Sequence, residues 1–162
     1  MCIRDRPDIA IRTTIITGFP QESDDEFLDM LSFVETTGFD RLGVFTYSQE
    51  EGTPAAKMNG QIEEDLKEKR KDILMEAQKR ISAEKCEQML GKRLKVLVEG
   101  YLPEEKVYCA RSYKDTPDID GLVFINFQGQ LLSGDFITVE ITEASDYDLI
   151  GEVVEDGIES CQ

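Results

Sequence analysis

The hydrophobic pattern of this chain changes its period near residue 91, and this change constrains the fold more than any other feature. Over residues 8–90, β-branched runs alternate with helical stripes. Beyond it, short runs alternate strictly, as where Ile137, Val139 and Ile141 are separated by polar residues. The first pattern is typical of a parallel sheet covered by helices, and the second of a small barrel. The sequence therefore predicts an α/β region followed by an all-β region.

The first region begins as a strand–helix–strand unit. Residues 9–16 are β-branched and predict a strand. Ser23 and Glu26 form an S-x-x-E capping box at the start of a helix that Gly38 ends. Residues 41–47 predict a second strand, which a helix of this length would place parallel to the first.

Apolar stripes predict which faces of the two helices are buried. The stripe of the first helix consists of Phe27, Leu28, Leu31 and Val34. A second, longer helix is predicted over residues 61–90, with a stripe of Leu66, Ile73, Leu74, Ala77 and Ile81. A two-stranded parallel sheet cannot bury both of its faces, so residues 7–90 are expected to be the end of a larger α/β domain.

The second region contains five short predicted strands separated by turns. They cover residues 92–101, 106–114, 121–127, 136–144 and 149–155. Five such strands favour a small OB-like barrel, which we expect to occupy residues 91–157 and to leave a tail at 158–162. Of its aromatic residues, Tyr108, Phe124 and Phe127 are expected mainly in the core.

Composition restricts the chemistry. The net charge of −16 makes non-specific binding of nucleic-acid phosphates a poor expectation and favours a basic protein partner. Histidine is absent, and Cys2, Cys86, Cys109 and Cys161 are scattered singly, so no metal site can be predicted from spacing. No apolar run approaches 18 residues, which predicts no transmembrane helix, and single thiols suit the cytoplasm.

Four stretches in one order resemble the radical-SAM methylthiotransferases. They are IRTTIITGFPQES, GFDRLGVFTYSQEEGTPAAKM, ARSYKDTPDIDGLVFI and SGDFITVEITEASDYDLIGEV. Within that family the resemblance is strongest to the branch that modifies an aspartate on protein twelve of the small ribosomal subunit. It implies that residues 7–90 end a partial (β/α) radical-SAM barrel and that residues 91–157 are a TRAM domain. The first six residues, MCIRDR, resemble adapter sequence and are expected to be foreign.

The resemblance also implies a reaction and its cofactors. Members of the family use S-adenosylmethionine and two 4Fe-4S clusters to place a methylthio group on the β-carbon of the target aspartate. The CxxxCxxC motif that holds one cluster does not occur in this chain, and none of the four cysteines matches a ligand position. The chain is therefore expected to be a carboxy-terminal fragment that is inactive alone, with no catalytic and no metal-binding residue of its own.

Two segments are predicted to contribute to binding. By resemblance, the turn after the first strand passes the adenine of S-adenosylmethionine, so the expected cofactor-binding residues are Gly18, Phe19, Glu22 and Tyr47. The family usually has GFPGE where this chain has GFPQE, which leaves open whether position 21 needs a positive φ. The residues themselves are also compatible with an ordinary strand–turn–helix junction.

The loop after the second strand is acidic, whereas the transfer-RNA-modifying (MiaB-like) relatives carry a basic residue in a YSxRxGT pattern. An acidic loop suits a protein rich in lysine and arginine better than it suits phosphate. The expected substrate-binding residues are Ser48, Gln49, Glu50, Glu51, Arg111 and Tyr113. The expected partner is thus a basic small-subunit ribosomal protein, recognised in part by the TRAM domain.

Three alternatives remain at this point. The chain could come from a transfer-RNA methylthiotransferase whose TRAM domain binds RNA, which the acidic loop disfavours. It could be a freestanding protein-binding barrel with a helical stalk, but the predicted half-barrel would then expose apolar sheet. The acidic loop could also be a solvated turn that contacts nothing.

Overall fold

The structure is a computed structural model that describes residues 8–159, with side chains described from 8 to 154. The predicted foreign segment 1–6, Cys2, Cys161 and the end of the predicted tail lie outside the described residues. The chain divides into two compact units between Ile81 and Ser82. Within the described part, no helix is both long enough and apolar enough to cross a membrane.

The first unit has the predicted strand–helix–strand order. Its elements are β1 (Arg12–Thr17), α1 (Asp24–Thr37), β2 (Arg41–Thr46), a short 3-10 helix (Ala55–Lys57) and most of α2 (Glu64–Glu87). β1 and β2 pair in parallel, from Arg12 opposite Arg41 to Thr17 opposite Thr46. Helices cover one face of this sheet, whereas Ile16 and Phe45 on the other face are 58% and 60% exposed.

The predicted start and end of α1 are confirmed. Glu26 donates its backbone N–H to the Ser23 hydroxyl, and the Glu26 carboxylate accepts the Ser23 backbone N–H at 2.8 Å. Hydrogen bonds from the backbone and the side chain of Ser23 lower the pKa of Glu26. Gly38 ends the helix in the left-handed region at φ 59°. The predicted stripe was partly wrong, because Phe27 and Val34 are buried but Leu28 is exposed.

The buried face of α2 differs from the predicted one. Leu74 and Ala77 are buried as expected, whereas Leu66 and Ile73 are more than one third exposed. Polar side chains occupy the rest of the buried face: Lys67, Arg70, Gln78 and Ser82. The positions 67, 70, 74 and 77 keep helical spacing, so the face is continuous but was not visible in an apolar pattern.

The second unit is a closed five-stranded barrel, as predicted. Its strands are β3 (Arg93–Leu102), β4 (Val107–Ser112), β5 (Val123–Asn126), β6 (Phe136–Ala144) and β7 (Leu149–Glu159). The order around the barrel is β3-β4-β5-β7-β6, and β6 pairs with β3 to close it. β5 and β7 run parallel, and the other pairs are antiparallel.

Alternation along the strands fills the barrel core. Ile137, Val139 and Ile141 are buried on one side of β6, as their spacing predicted. Cys86 is also buried in this core and Met89 packs against it, although both precede the predicted boundary at residue 91. The exact limits of the domains stay a prediction.

The aromatic residues of the barrel are divided between core and surface. Tyr108 is buried and its hydroxyl donates to the Gly129 carbonyl at 3.0 Å, as a buried phenol requires. Phe124 and Phe127 are half-buried, so the expectation of a core position holds only in part for them. Tyr113 is 60% exposed.

Leu74→Ala should destabilise the first unit strongly, by about 2–5 kcal/mol, because it leaves a cavity where no solvent reaches. Leu66→Ala removes the same atoms from the partly exposed position on the same helix and should cost less than about 1 kcal/mol. Urea unfolding of both variants, followed by circular dichroism, measures the difference. Equal losses would contradict the assigned buried face of α2.

The barrel should be more stable as the segment 82–162 than as the segment 91–162. The longer segment keeps Cys86 and Met89 against the barrel core, and burying one such side chain contributes about 1.5–3 kcal/mol. Thermal unfolding of the two segments compares them directly. A shorter segment with the same Tm would show that the structural domain begins at the predicted boundary.

Candidate functional site

The turn that follows β1 is organised by one carboxylate. Glu22 Oε2 accepts the Gly18 backbone N–H at 3.0 Å, and Oε1 accepts the Thr17 hydroxyl at 3.1 Å. The Glu22 backbone N–H donates to the Phe19 carbonyl at 2.9 Å and closes the turn. Thr17 itself is fully buried. The turn therefore has a fixed backbone at the carboxyl end of the strand.

Arg70 of α2 binds the same carboxylate from the protein interior. Its Nη1 donates to Glu22 Oε1 at 2.6 Å and to the Glu22 carbonyl at 3.1 Å, and its Nη2 donates to Asp24 Oδ1 at 2.6 Å. The guanidinium also lies over the ring of Phe27, 5.3 Å from the ring centroid. Both oxygens of Glu22 are thus engaged within the chain, which gives this predicted cofactor-binding residue a supporting position.

Lys67, one helical turn before Arg70, connects the turn to the end of β2. Its Nζ donates to the Tyr47 carbonyl and to Glu64 Oε2, both at 3.0 Å. Its aliphatic stem packs against Gly18, where a Cβ would overlap Lys67 Cγ. Gly18 also has φ +77°, so glycine is required there both for the backbone conformation and for the space.

Phe19 and Tyr47 bring an aromatic pair to this end of the sheet. Their ring centroids are 5.4 Å apart and the rings meet edge to face. Phe19 is 45% exposed, whereas the Tyr47 hydroxyl is buried and has no hydrogen-bond partner among the described residues. The structure therefore brings together all four residues expected to bind a cofactor: Gly18, Phe19, Glu22 and Tyr47.

Gln21 answers the question that the sequence left open. Its φ is +73°, so the position does use the conformation that glycine adopts most easily. Its backbone N–H donates to the Gly60 carbonyl at 2.9 Å, and its side-chain Nε2 donates to the Asn59 carbonyl at 3.2 Å. The glutamine side chain thus adds one exposed hydrogen bond at a strained position.

The acidic loop after β2 is exposed and held by its own hydrogen bonds. The Ser48 hydroxyl donates to Glu50 Oε1 at 2.9 Å, and the Thr53 hydroxyl donates to the Glu50 carbonyl at 2.8 Å. Gln49 Nε2 donates to the Ala56 carbonyl at 2.8 Å. Ser48, Gln49, Glu50 and Glu51, all predicted to bind substrate, are exposed.

The other two predicted substrate-binding residues lie in the second unit, on a surface groove of about 470 Å³. Its lining comprises Arg93, Leu94, Lys95, Leu97, Arg111, Ser112, Tyr113 and Phe136. Arg111 Nε lies 2.9 Å from Glu99 Oε1, and Arg93 Nε lies 3.8 Å from Glu140 Oε2. Lys95 Nζ lies over the Phe136 ring, 5.3 Å from its centroid. The groove combines cations with exposed aromatic rings.

Known proteins match this chain in both of its units. Residues 90–154 match the TRAM domain family. The chain is 50% identical over 145 residues to ribosomal protein uS12 methylthiotransferase RimO of Lachnoclostridium phytofermentans, covering 90% of this chain and 33% of that protein. The RimO of Desulfitobacterium hafniense is 48% identical over 149 residues, 92% of this chain and 33% of the relative.

A third relative, the RimO of Citrifermentans bemidjiense, is 50% identical over 153 residues, which cover 94% of this chain and 34% of that protein. The resemblance to the methylthiotransferases is confirmed. The chain spans about a third of the length of the curated relatives it matches.

The methylthiotransferase resemblance did not point to every residue of the site. Lys67 and Arg70 were missed because they lie in a helix whose buried face was predicted from its apolar residues alone. Arg93 and Lys95 were missed although they alternate along β3, and a period of two places both on one face of the strand. Phe136 joins them through pairing of β3 with β6, in which it stands opposite Leu97.

Metal-binding residues were not predicted, and the described residues hold no group of three or more His, Cys, Asp or Glu side chains that could bind a metal ion. Neither Cys86 nor Cys109 forms a disulfide, and the first is buried in the barrel. The iron–sulfur clusters that the family name implies therefore have no ligand set among the described residues.

Substitutions at position 21 should separate backbone strain from the side-chain contact. Gln21→Ala and Gln21→Gly both lose the hydrogen bond to Asn59, but only glycine relieves the positive φ. We expect Gln21→Gly to be more stable than Gln21→Ala by about 1–2 kcal/mol. Chemical denaturation of the two variants gives this difference, and equal stabilities would show that the turn relaxes when alanine is present.

Proposed function

We propose that this chain is the carboxy-terminal part of an enzyme that adds a methylthio group to the β-carbon of an aspartate on protein twelve of the small ribosomal subunit. The observation that carries the proposal is the 50% identity to a uS12 methylthiotransferase over 145 residues, which runs through both units. The relatives are named for their ribosomal protein substrate, and we extend that substrate to this chain. A ribosomal substrate would place the enzyme in the cytoplasm.

The turn after β1 has features that suit the adenine end of S-adenosylmethionine. Gly18 is buried and turns the backbone at the end of β1 with φ +77°, and Phe19 offers an exposed ring beside it. The buried Tyr47 hydroxyl lacks a partner among the described residues, and a buried hydroxyl ordinarily has one. Gly18, Phe19 and Tyr47 would therefore contact the cofactor, while Glu22 would hold the turn that presents them.

S-adenosylmethionine, when bound, would supply the radical and the methyl group of the reaction. The two 4Fe-4S clusters of the proposed enzyme would be held by residues other than those described. This chain's own part is binding: the turn orients the nucleoside end of the cofactor, and the loop after β2 meets the protein substrate. Both lie at the carboxyl ends of parallel strands, where sites of β/α barrels are found.

The acidic loop is the proposed contact with the ribosomal protein. Glu50 and Glu51 are exposed, and the loop conformation is fixed by internal hydrogen bonds, so binding need not order it first. Carboxylates at this place attract a partner rich in lysine and arginine and speed its association. The TRAM domain would contribute further contacts through Arg111 and Tyr113.

A second candidate is contact with RNA, as proposed for the transfer-RNA-modifying branch. The groove on the barrel favours it, because Arg93, Lys95 and Arg111 surround two exposed rings on which bases could stack. Glu99 and Glu140 partly offset these cations. We rank this candidate second because the acidic loop and the named substrate of the relatives both favour a basic protein.

Charge reversal in the loop tests the first candidate. In the complete enzyme, Glu50→Lys with Glu51→Lys should slow association with the ribosomal protein by about tenfold at low salt, and the difference should shrink as salt shortens the Debye length below about 10 Å. Glu104→Lys with Glu105→Lys makes the same charge change on the exposed turn between β3 and β4 and should have a smaller effect.

Stopped-flow association at two salt concentrations, with the ribosomal protein and with a transfer-RNA anticodon stem, distinguishes the candidates. Tighter binding of the unmodified enzyme to the RNA would favour the second candidate. Salt-insensitive binding to the protein, or equal slowing by the two double variants, would contradict docking on the acidic loop.

A further inference from the structure

Two cations on one face of α2 are almost completely buried. Lys67 and Arg70 are 6% and 3% exposed, and their spacing of three residues places them on the same side of the helix. Removing a charge from water is costly unless it is paired and hydrogen-bonded. Helices usually bury apolar residues at such positions, so these cations point to a requirement beyond packing.

Each cation reaches one of the two strand ends that form the candidate cofactor site. The Lys67 amine holds the Tyr47 carbonyl at the end of β2. Arg70 holds Glu22, whose second oxygen holds the Gly18 backbone N–H after β1. The two strand ends are therefore tied to a single rigid helix through charged hydrogen bonds, which are roughly twice as strong as neutral ones.

The aromatic pair at the site depends on both ties. Phe19 lies within the turn that Glu22 closes, and Tyr47 carries the carbonyl that Lys67 binds. The edge-to-face contact between the two rings, 5.4 Å apart, exists only if both segments keep their places. The Lys67 amine also lies 5.5 Å from the centroid of the Tyr47 ring.

We propose that Lys67 and Arg70 are positioning residues, which set the spacing of Gly18, Phe19 and Tyr47 for the nucleoside end of S-adenosylmethionine without touching the cofactor. This inference rests on the proposed function. The proposal gives Lys67 two roles. Its stem packs against Gly18 and leaves room only for glycine, and its amine holds the end of β2 through the Tyr47 carbonyl. Lys67 and Arg70 would thus affect catalysis through the binding of the cofactor and not through the chemical step.

Lys67→Met in the complete enzyme tests the proposal, because methionine keeps most of the stem and removes the amine. We expect the KM for S-adenosylmethionine to rise about tenfold, as for the loss of one charged hydrogen bond, with kcat and the KM for the ribosomal protein changed less than about twofold. Lys71→Met is the matched control on the same helix, where the partly exposed Lys71 pairs with Glu68 at 2.9 Å, and it should change none of the three constants.

Arg70→Lys provides a second variant that keeps the buried charge but cannot span both Glu22 and Asp24, and it should also raise the KM for S-adenosylmethionine selectively. Variants that retain the Tm of the unmodified enzyme and an unchanged KM for S-adenosylmethionine would overturn the positioning role alone. An unmodified enzyme that transfers no methylthio group would instead overturn the proposed function on which the inference rests.

Discussion

Arg70 is a cation buried in the first unit, and the end of the sheet is arranged around its neutralisation. Glu22 and Asp24 are the first acidic residues after β1, and both accept from its guanidinium. Asp24 also begins α1, so one arginine joins the strand end, the helix start and α2. Breaking such a pair costs about 3–5 kcal/mol because the remaining charge stays buried. This pairing therefore ties the turn residues to both helices.

The barrel solves its stability problem differently. Because β6 pairs with β3, the hydrogen-bonded ladder runs around the whole barrel. Neither β3 nor β6 is therefore left as an unpaired edge strand. The interior is filled by β-branched residues such as Val96, Val98 and Ile125, which need no polar partners. Because the core and the ladder together maintain the fold, outward positions of β3 and β4 are available for cations and aromatic rings without cost to the interior.

Local patterns in the sequence predicted the elements, whereas contacts distant in sequence decided the site. The capping box of α1 and the alternation of β6 are both short-range signals, and both gave correct structure. The buried face of α2 was predicted from apolar residues and was partly wrong, because Lys67 and Arg70 replace the expected Leu66 and Ile73. Their partners at the two strand ends lie 20 to 48 residues away, so no short window of the sequence shows these contacts. The residues of the groove were hard to predict for the same reason, because pairing of β3 with β4 and β6 brings them together.

The net charge of this chain does not predict the charge of each of its surfaces. Residues 91–162 contain six lysines and arginines against fifteen acidic residues, yet three of the six line one groove. A net charge acts on an approaching partner over the Debye length, whereas contact is decided within a few ångströms by individual groups. The acidic loop and the basic groove are thus compatible within one chain, and its net charge would favour a basic partner at long range. The groove would meet an anionic group, either a phosphate or a carboxylate. The exposed rings of Tyr113 and Phe136 would favour the phosphate of a nucleic acid, because bases stack on such rings.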